Sequence, residues 1–243
     1  MEIDYDHAAN LHTLEGAAAA LATVFDKSVP RSLLDVGAGT GTWLRAASDL
    51  GVSDVFGIDG VIPEKFLHVD RNTIVRRDLS VAFDLGRRFD MALSLEVAEH
   101  LPEASAPVFV ASILRHADLI LFSAAAPNQW GQHHINCQWP AYWQRFFNDN
   151  GFVCDDSVRW QLWSDQRIEP WYRQNVFLAH RFPEKAGKEA RIKPVIHPEM
   201  LRIMSMGPIR NGSYPLKWYF KVTARVAATK LGRKLNIFRQ RSS

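Results

Sequence analysis

An α/β fold, a parallel sheet with helices on both faces, is predicted by three features of this 243-residue sequence. Short apolar runs alternate with helix-periodic segments, and parallel strands require such crossovers. The run Leu33-Leu34-Asp35-Val36 leads into Gly37-Ala38-Gly39-Thr40-Gly41 before a helical segment opens at Thr42, which reads as strand, tight turn and helix. A second apolar run, 54–58, ends in Asp59, 18 residues past Gly41. Glycines let the backbone take positive φ or approach a ligand closely, and a helix N-terminus offers unpaired N–H groups. The turn therefore suits a nucleoside-bearing ligand, and the acid at the second strand tip suits a ribose diol.

The elements follow in order. Residues 1–29 carry Tyr5, His7 and His12 and then an alanine-rich run in which Leu14, Ala18, Leu21 and Phe25 recur at helical spacing, which predicts a cap helix. Strands are predicted at 32–36, 54–58, 73–76, 89–94, 118–123, 152–159 and 174–180, the last two joined by a loop, with a helix over 42–50. Trp139, Trp143 and Phe147 form an i, i+4, i+8 stripe that reads as core, with Gln138 and Tyr142 on another face. After Pro183 a charged connector, 184–193, gives way to Pro194, Pro198, Pro208 and Pro215, which break any long helix, and a final helix starts near Leu216. The expected organisation is a cap at 1–29, a body at 30–183 and an extension at 184–243.

The run Asp35-Val36-Gly37-Ala38-Gly39-Thr40-Gly41, continued by Asp59, Asp78 and the strand ending near Glu96, resembles the nucleotide-binding motif of class I S-adenosylmethionine-dependent methyltransferases. The resemblance spans residues 30–180. It implies a Rossmann-like seven-stranded sheet with an antiparallel hairpin at its edge, and a lid made by the N-terminal helix. It also implies S-adenosylmethionine held by Asp35, Gly37, Ala38, Gly39, Gly41, Asp59, Gly60, Asp78, Leu79, Leu95 and Glu96, with Asp78 and the Leu79 backbone on the adenine. Tyr5, His7 and His12 are implied to face the acceptor.

Leu95-Glu96-Val97-Ala98-Glu99-His100 places two carboxylates and an imidazole at i, i+3, i+4, on one face if the segment is a helical turn. The run 126–136 adds His133 and His134 after the neighbouring strand. Glu96, Glu99, His100, His133 and His134 suit a Mg²⁺, Mn²⁺ or Zn²⁺ site, and equally suit a metal-free site in which a histidine is the general base. ExxEH followed by a distant histidine resembles the metal site of the small-RNA 3′-terminal 2′-O-methyltransferases, and ExxEH alone resembles the ubiquinone-pathway O-methyltransferases. Asn136 and Tyr142, among aromatic and amide side chains, suit the stacking and hydrogen bonding of a sugar ring as well as they suit a tight core. The expected acceptor is a hydroxyl of a sugar, glycan precursor or small metabolite, with RNA 2′-O-methylation or N-methylation of a small molecule as the alternatives.

Composition bounds the rest. Two cysteines, Cys137 and Cys154, make no disulfide framework, and no charged-then-apolar leader or long apolar run is present, so a cytoplasmic protein is expected. From Met200 onward there are ten Lys or Arg and no Asp or Glu, while residues 1–199 carry a net charge of −7. Lys217, Lys221 and Arg225 form a stripe beside Trp218, Val222 and Val226, and Lys230, Arg233, Lys234, Arg239 and Arg241 extend the charge. Such a segment suits an anionic membrane, the phosphates of RNA or of a nucleotide-linked substrate, or simple solvation.

Overall fold

In the computed structural model the described residues are 5, 12–26, 28–63, 65–210 and 215–240, without the side chains of 205–210 and 230–240. They divide into two compact units, up to Met200 and from Leu201 onward.

The first unit is built on a seven-stranded sheet of order β3-β2-β1-β4-β5-β7-β6. Its strands are β1 (Ser32–Val36), β2 (Asp54–Asp59), β3 (Ile74–Arg76), β4 (Met91–Leu95), β5 (Leu119–Ser123), β6 (Phe152–Asp155) and β7 (Phe177–Arg181). The first five are parallel, while β7 runs antiparallel between β5 and β6. Strand order therefore reverses between β1 and β4, and ligands of open α/β sheets bind at such a switch point, beyond the strands' carboxyl ends.

Both faces are covered, which is why the central strands read as continuous apolar runs. On one face lie α3 (Ala106–His116) and α4 (Pro140–Asp149), whose Phe109, Ile113, Trp143 and Phe147 pack with Phe122, Phe152 and Phe177. The aromatic stripe is core as expected at Trp143 and Phe147, whereas Trp139 caps the helix N-terminus and is half-buried. On the other face lie α1 (Leu14–Val24), α2 (Thr42–Asp49) and α5 (Ser157–Leu162), through Ala17, Leu21, Trp43, Leu44, Val158 and Leu162. Thr13 caps α1 by accepting from the Gly16 N–H, and its own N–H donates to Glu169.

The sequence is misread in two places. The sixth strand stops at Asp155, and two short helices, α5 and α6 (Pro170–Asn175), separate it from β7 where a loop is expected. Pro198 opens a helix, α7 (Pro198–Arg210), because proline is tolerated at a helix start, and Pro208 falls in its last turn. Buried Ile192, His197 and Met200 lie beyond residue 183. The second unit carries α8 (Leu216–Gln240). Among the described residues no helix is long and apolar enough to cross a membrane.

Candidate active site

The glycine turn sits at the carboxyl end of β1. Gly37, Gly39 and Gly41 all have positive φ, at 93°, 52° and 79°. At Gly37 a Cβ would lie 2.2 Å from the Val97 side chain, so the turn passes directly under the segment that follows β4. Asp59 ties the turn to β2, accepting from the Gly39 N–H at 2.7 Å and the Val61 N–H at 2.8 Å. Asp35 is buried and its Oδ2 has no hydrogen-bond partner. Burial, followed by the Asp59 charge, raises its pKa to about 8. Asp78, exposed beyond β3, accepts through Oδ1 from the N–H and hydroxyl of Ser80, which hold its pKa down, and Leu79 beside it is buried. Gly60 follows β2 with its carbonyl on Arg76, and Leu95 closes β4 inside the core.

Beyond β4 the expected helical face does not form. Glu96 takes φ 55°, a left-handed conformation unusual for a side chain of its size, and only then does a tight turn over Ala98–His100 begin. Its carboxylate is taken up by two amides. It accepts from Gln129 Nε2 at 2.5 Å and Asn175 Nδ2 at 3.1 Å, while the Glu96 N–H donates to Ser123 Oγ. Asn175 also donates to Gln129 Oε1 at 2.8 Å, closing a ring of three side chains.

Glu99, His100 and His134 come together instead. One ligand atom from each lies within 4.8 Å of the others, with His134 Nε2 3.9 Å from Glu99 Oε1. Glu99 is fully buried and neither carboxylate oxygen has a partner. His134 Nδ1 sits 3.0 Å from the Gln129 carbonyl and so carries the proton, leaving Nε2 as the lone pair facing Glu99. The carbonyls of Gln132 and His133 bear on the His100 ring, and His100 Nδ1 has no partner. Burial, and secondarily the His134 charge, lowers His100 to about 4, while burial lowers His134, so both imidazoles are neutral near pH 7. Burial raises Glu96 and Glu99, and the Glu96 charge pushes Glu99 further.

Two of the five expected ligands thus fall outside the cluster. Glu96 is occupied by amides, and His133, at φ 51°, is exposed and brings its backbone to His100. Cys137 Sγ lies 3.7 Å from His134 Nδ1, the nitrogen turned from Glu99, and burial with the two glutamates holds its thiol up to about 11. Tyr5 meets the His100 ring edge-on at 5.2 Å, whereas His12 is half-buried just before α1 and His7 lies outside the described residues. Asn136 is buried with Nδ2 unpartnered, and Tyr142, half-buried, is raised by burial and the Glu103 charge.

Gln129, Asn175 and Gly131 were not singled out by the sequence. A Cβ at Gly131 would stand 1.9 Å from His134 Nε2, so glycine is needed for the imidazole to lie where it does. Proximity to the two histidines is the signal that marks Gly131 and Gln129. Asn175, at the end of the run Trp171-Tyr172-Arg173-Gln174-Asn175, reaches Glu96 across 79 residues because β7 returns beside β5.

Comparison with known proteins gives the fold and the family. No curated protein matches the chain in sequence. Among solved structures, the methyltransferase domain of bacterial CtHen1-C is 15% identical, with TM-score 0.53, covering 70% of this chain and 100% of that one. Streptomyces venezuelae DesVI is 16% identical, with TM-score 0.52 over 69% and 92% of the two chains. The sugar N-methyltransferase KedS8 from Streptoalloteichus sp. is 15% identical, with TM-score 0.52 over 70% and 88%. These likenesses establish the fold. Residues 6–187 match the family described as methyltransferase domain, so the chain belongs to that family and is a class I S-adenosylmethionine-dependent methyltransferase.

Proposed function

We propose that this methyltransferase acts on a hydroxyl of a sugar, a glycan precursor or a similar small polyol, with a divalent cation held by Glu99, His100 and His134. The observation that carries the proposal is the buried Glu99 carboxylate, unpartnered at both oxygens, facing two neutral imidazoles. Ionising a buried carboxylate that has no partner is costly, a bound cation would offset that cost, and one carboxylate with two imidazole lone pairs is a fitting donor set for Zn²⁺ or Mn²⁺. When bound, the cation lowers the pKa of an acceptor hydroxyl, and S-adenosylmethionine supplies an electrophilic methyl group.

The chain's own residues do the rest. The Asp35 carboxylate receives the cofactor's ammonium, and Asp59, fixed at the tip of β2 by the Gly39 and Val61 N–H groups, receives the ribose diol. Asp78 offers its Oδ2 to the adenine amino group. Gln129 and Asn175 fix Glu96 beside the cofactor. Tyr5 covers His100, while Asn136 and Tyr142 supply polar groups for the acceptor, and His133 is the proton acceptor in this reading. The neutral His100, with Nδ1 unpartnered, supports a second reading in which no cation takes part and His100 is the base.

The test is release of S-adenosylhomocysteine on a panel of sugar, polyol and RNA acceptors, before and after chelation and with Mg²⁺, Mn²⁺ or Zn²⁺ restored. Turnover on a small hydroxyl acceptor, lost on chelation and regained with the metal, is expected. Turnover that survives chelation but is lost in His100→Ala selects the second reading, and RNA as the best acceptor overturns the small-molecule assignment.

Cofactor binding carries its own signature. Since burial holds Asp35 up at about 8, pairing with the ammonium expels a proton near pH 7. Calorimetric titration in buffers of different ionisation heat is expected to show about one proton released and affinity that rises between about pH 6 and pH 8. Binding without proton release would place the ammonium elsewhere.

A further inference from the structure

The second unit holds chemistry that methyl transfer does not use. Among the described residues, five of the fifteen large apolar side chains left exposed lie here, at Leu201, Ile203, Leu216, Phe220 and Val226. Leu216 is 71% exposed and Phe220 68% exposed. They stand one helical turn apart at the start of α8, and Ala224 and Ala227 continue the same face. Lys217, Lys221 and Arg225, all exposed, repeat at i, i+4, i+8 along the adjoining edge. Trp218, Tyr219 and Val222 point elsewhere and are half-buried, with Trp218 and Tyr219 packed edge to face at 5.2 Å. From Met200 onward all ten charged residues are basic, against a net −7 in residues 1–199.

We propose that α8 is an interfacial helix that lays its Leu216–Phe220–Ala224 face into the surface of an anionic lipid bilayer, with Lys217, Lys221 and Arg225 on the headgroups. An amphipathic helix binds such a surface through apolar area and basic charge together, and this face presents both in register. The alternative anionic partner, RNA, accounts for the charge but not for the aliphatic residues. Leu216, Ala224 and Ala227 on this face have no π face for a base to stack on, whereas the acyl boundary takes them directly. The site described above is not needed for this binding, so the inference stands apart from the acceptor assignment.

The experiment is co-sedimentation of the full chain with phosphatidylcholine vesicles, pure or containing about one-third phosphatidylglycerol. The wild type is compared with Lys217→Gln/Lys221→Gln/Arg225→Gln and with Leu216→Ser/Phe220→Ser. S-adenosylmethionine affinity measured on the same preparations verifies that each variant is folded. Binding to the anionic vesicles alone is expected, weakened about a hundredfold by the triple variant, since each basic residue near the surface contributes about a fivefold gain. The double serine variant, whose charge is unchanged, is expected to bind at least about tenfold more weakly through lost apolar burial. Absence of binding by the wild type overturns the proposal. So does vesicle binding that Leu216→Ser/Phe220→Ser leaves intact, or that a single-stranded RNA competes away while binding both variants according to charge alone, because α8 is then a polyanion clamp.

Discussion

Replacing Glu99 by methionine is expected to abolish divalent-cation binding and, at the same time, to raise the melting temperature of the cation-free protein. Glu99 is fully buried with both oxygens unpartnered, and such a group costs about 1–3 kcal/mol that an apolar side chain of similar shape does not. For a chain of this size that corresponds to roughly 2–4 °C per kcal/mol. The sign with pH follows from the raised pKa, which burial causes and the Glu96 charge reinforces. Below the ordinary carboxylate range Glu99 is neutral in both folded and unfolded chains and its contribution is intact. As pH rises the unfolded chain ionises first, so stability is lost until the folded pKa is passed. The gap between variant and wild type therefore widens with pH in cation-free buffer. With cation at about a hundredfold over its Kd the wild type gains about 2.7 kcal/mol, and the variant gains nothing. Scanning calorimetry with and without Mn²⁺ or Zn²⁺ reads both effects. A methionine variant still stabilised by cation would return Glu99 to a structural role.

Gly37→Ala is expected to weaken S-adenosylmethionine binding by roughly 10- to 100-fold, from a backbone strain of about 1–3 kcal/mol placed on the turn itself. The new methyl group meets two constraints, a φ of 93° and Val97 at 2.2 Å. Relief of either moves the turn or the start of the Glu96–His100 segment. Gly51→Ala is the control, because Gly51 has φ 102° but its nearest neighbour, Val29, is 4.0 Å from a built Cβ. It is expected to lower stability while leaving cofactor affinity unchanged. Equal losses of affinity in the two variants would mean that the effect is global.

The sheet was legible in the sequence because buried parallel strands are apolar throughout, and because the glycines and Asp59 mark the ends of β1 and β2. What misled was local geometry that depends on distant packing. Spacing put Glu96, Glu99 and His100 on one helical face, but the left-handed φ at Glu96 breaks that face, and it is sustained by Gln129, Ser123 and Asn175 from three other segments. No periodicity encodes such a ring. His134 was separable from His133 only through its tautomer-fixing bond to Gln129, and Gly131 shows its purpose only once the imidazole is in place. The region 156–175 was misread because α5 and α6 are six residues each, too short for an amphipathic period to register.

The position of β7 has a consequence for how the chain is made. Among the described residues strand β6, at 152–155, pairs only with β7, and β5 has one edge open until β7 arrives at 177–181. On the ribosome, synthesis leaves an unmatched strand and an uncapped sheet edge in solution while the intervening residues emerge. Asn175 reaches Glu96 in the same late step. Chains halted before residue 181 therefore present the edge-to-edge pairing surface that promotes aggregation, and they have not closed the ring around Glu96.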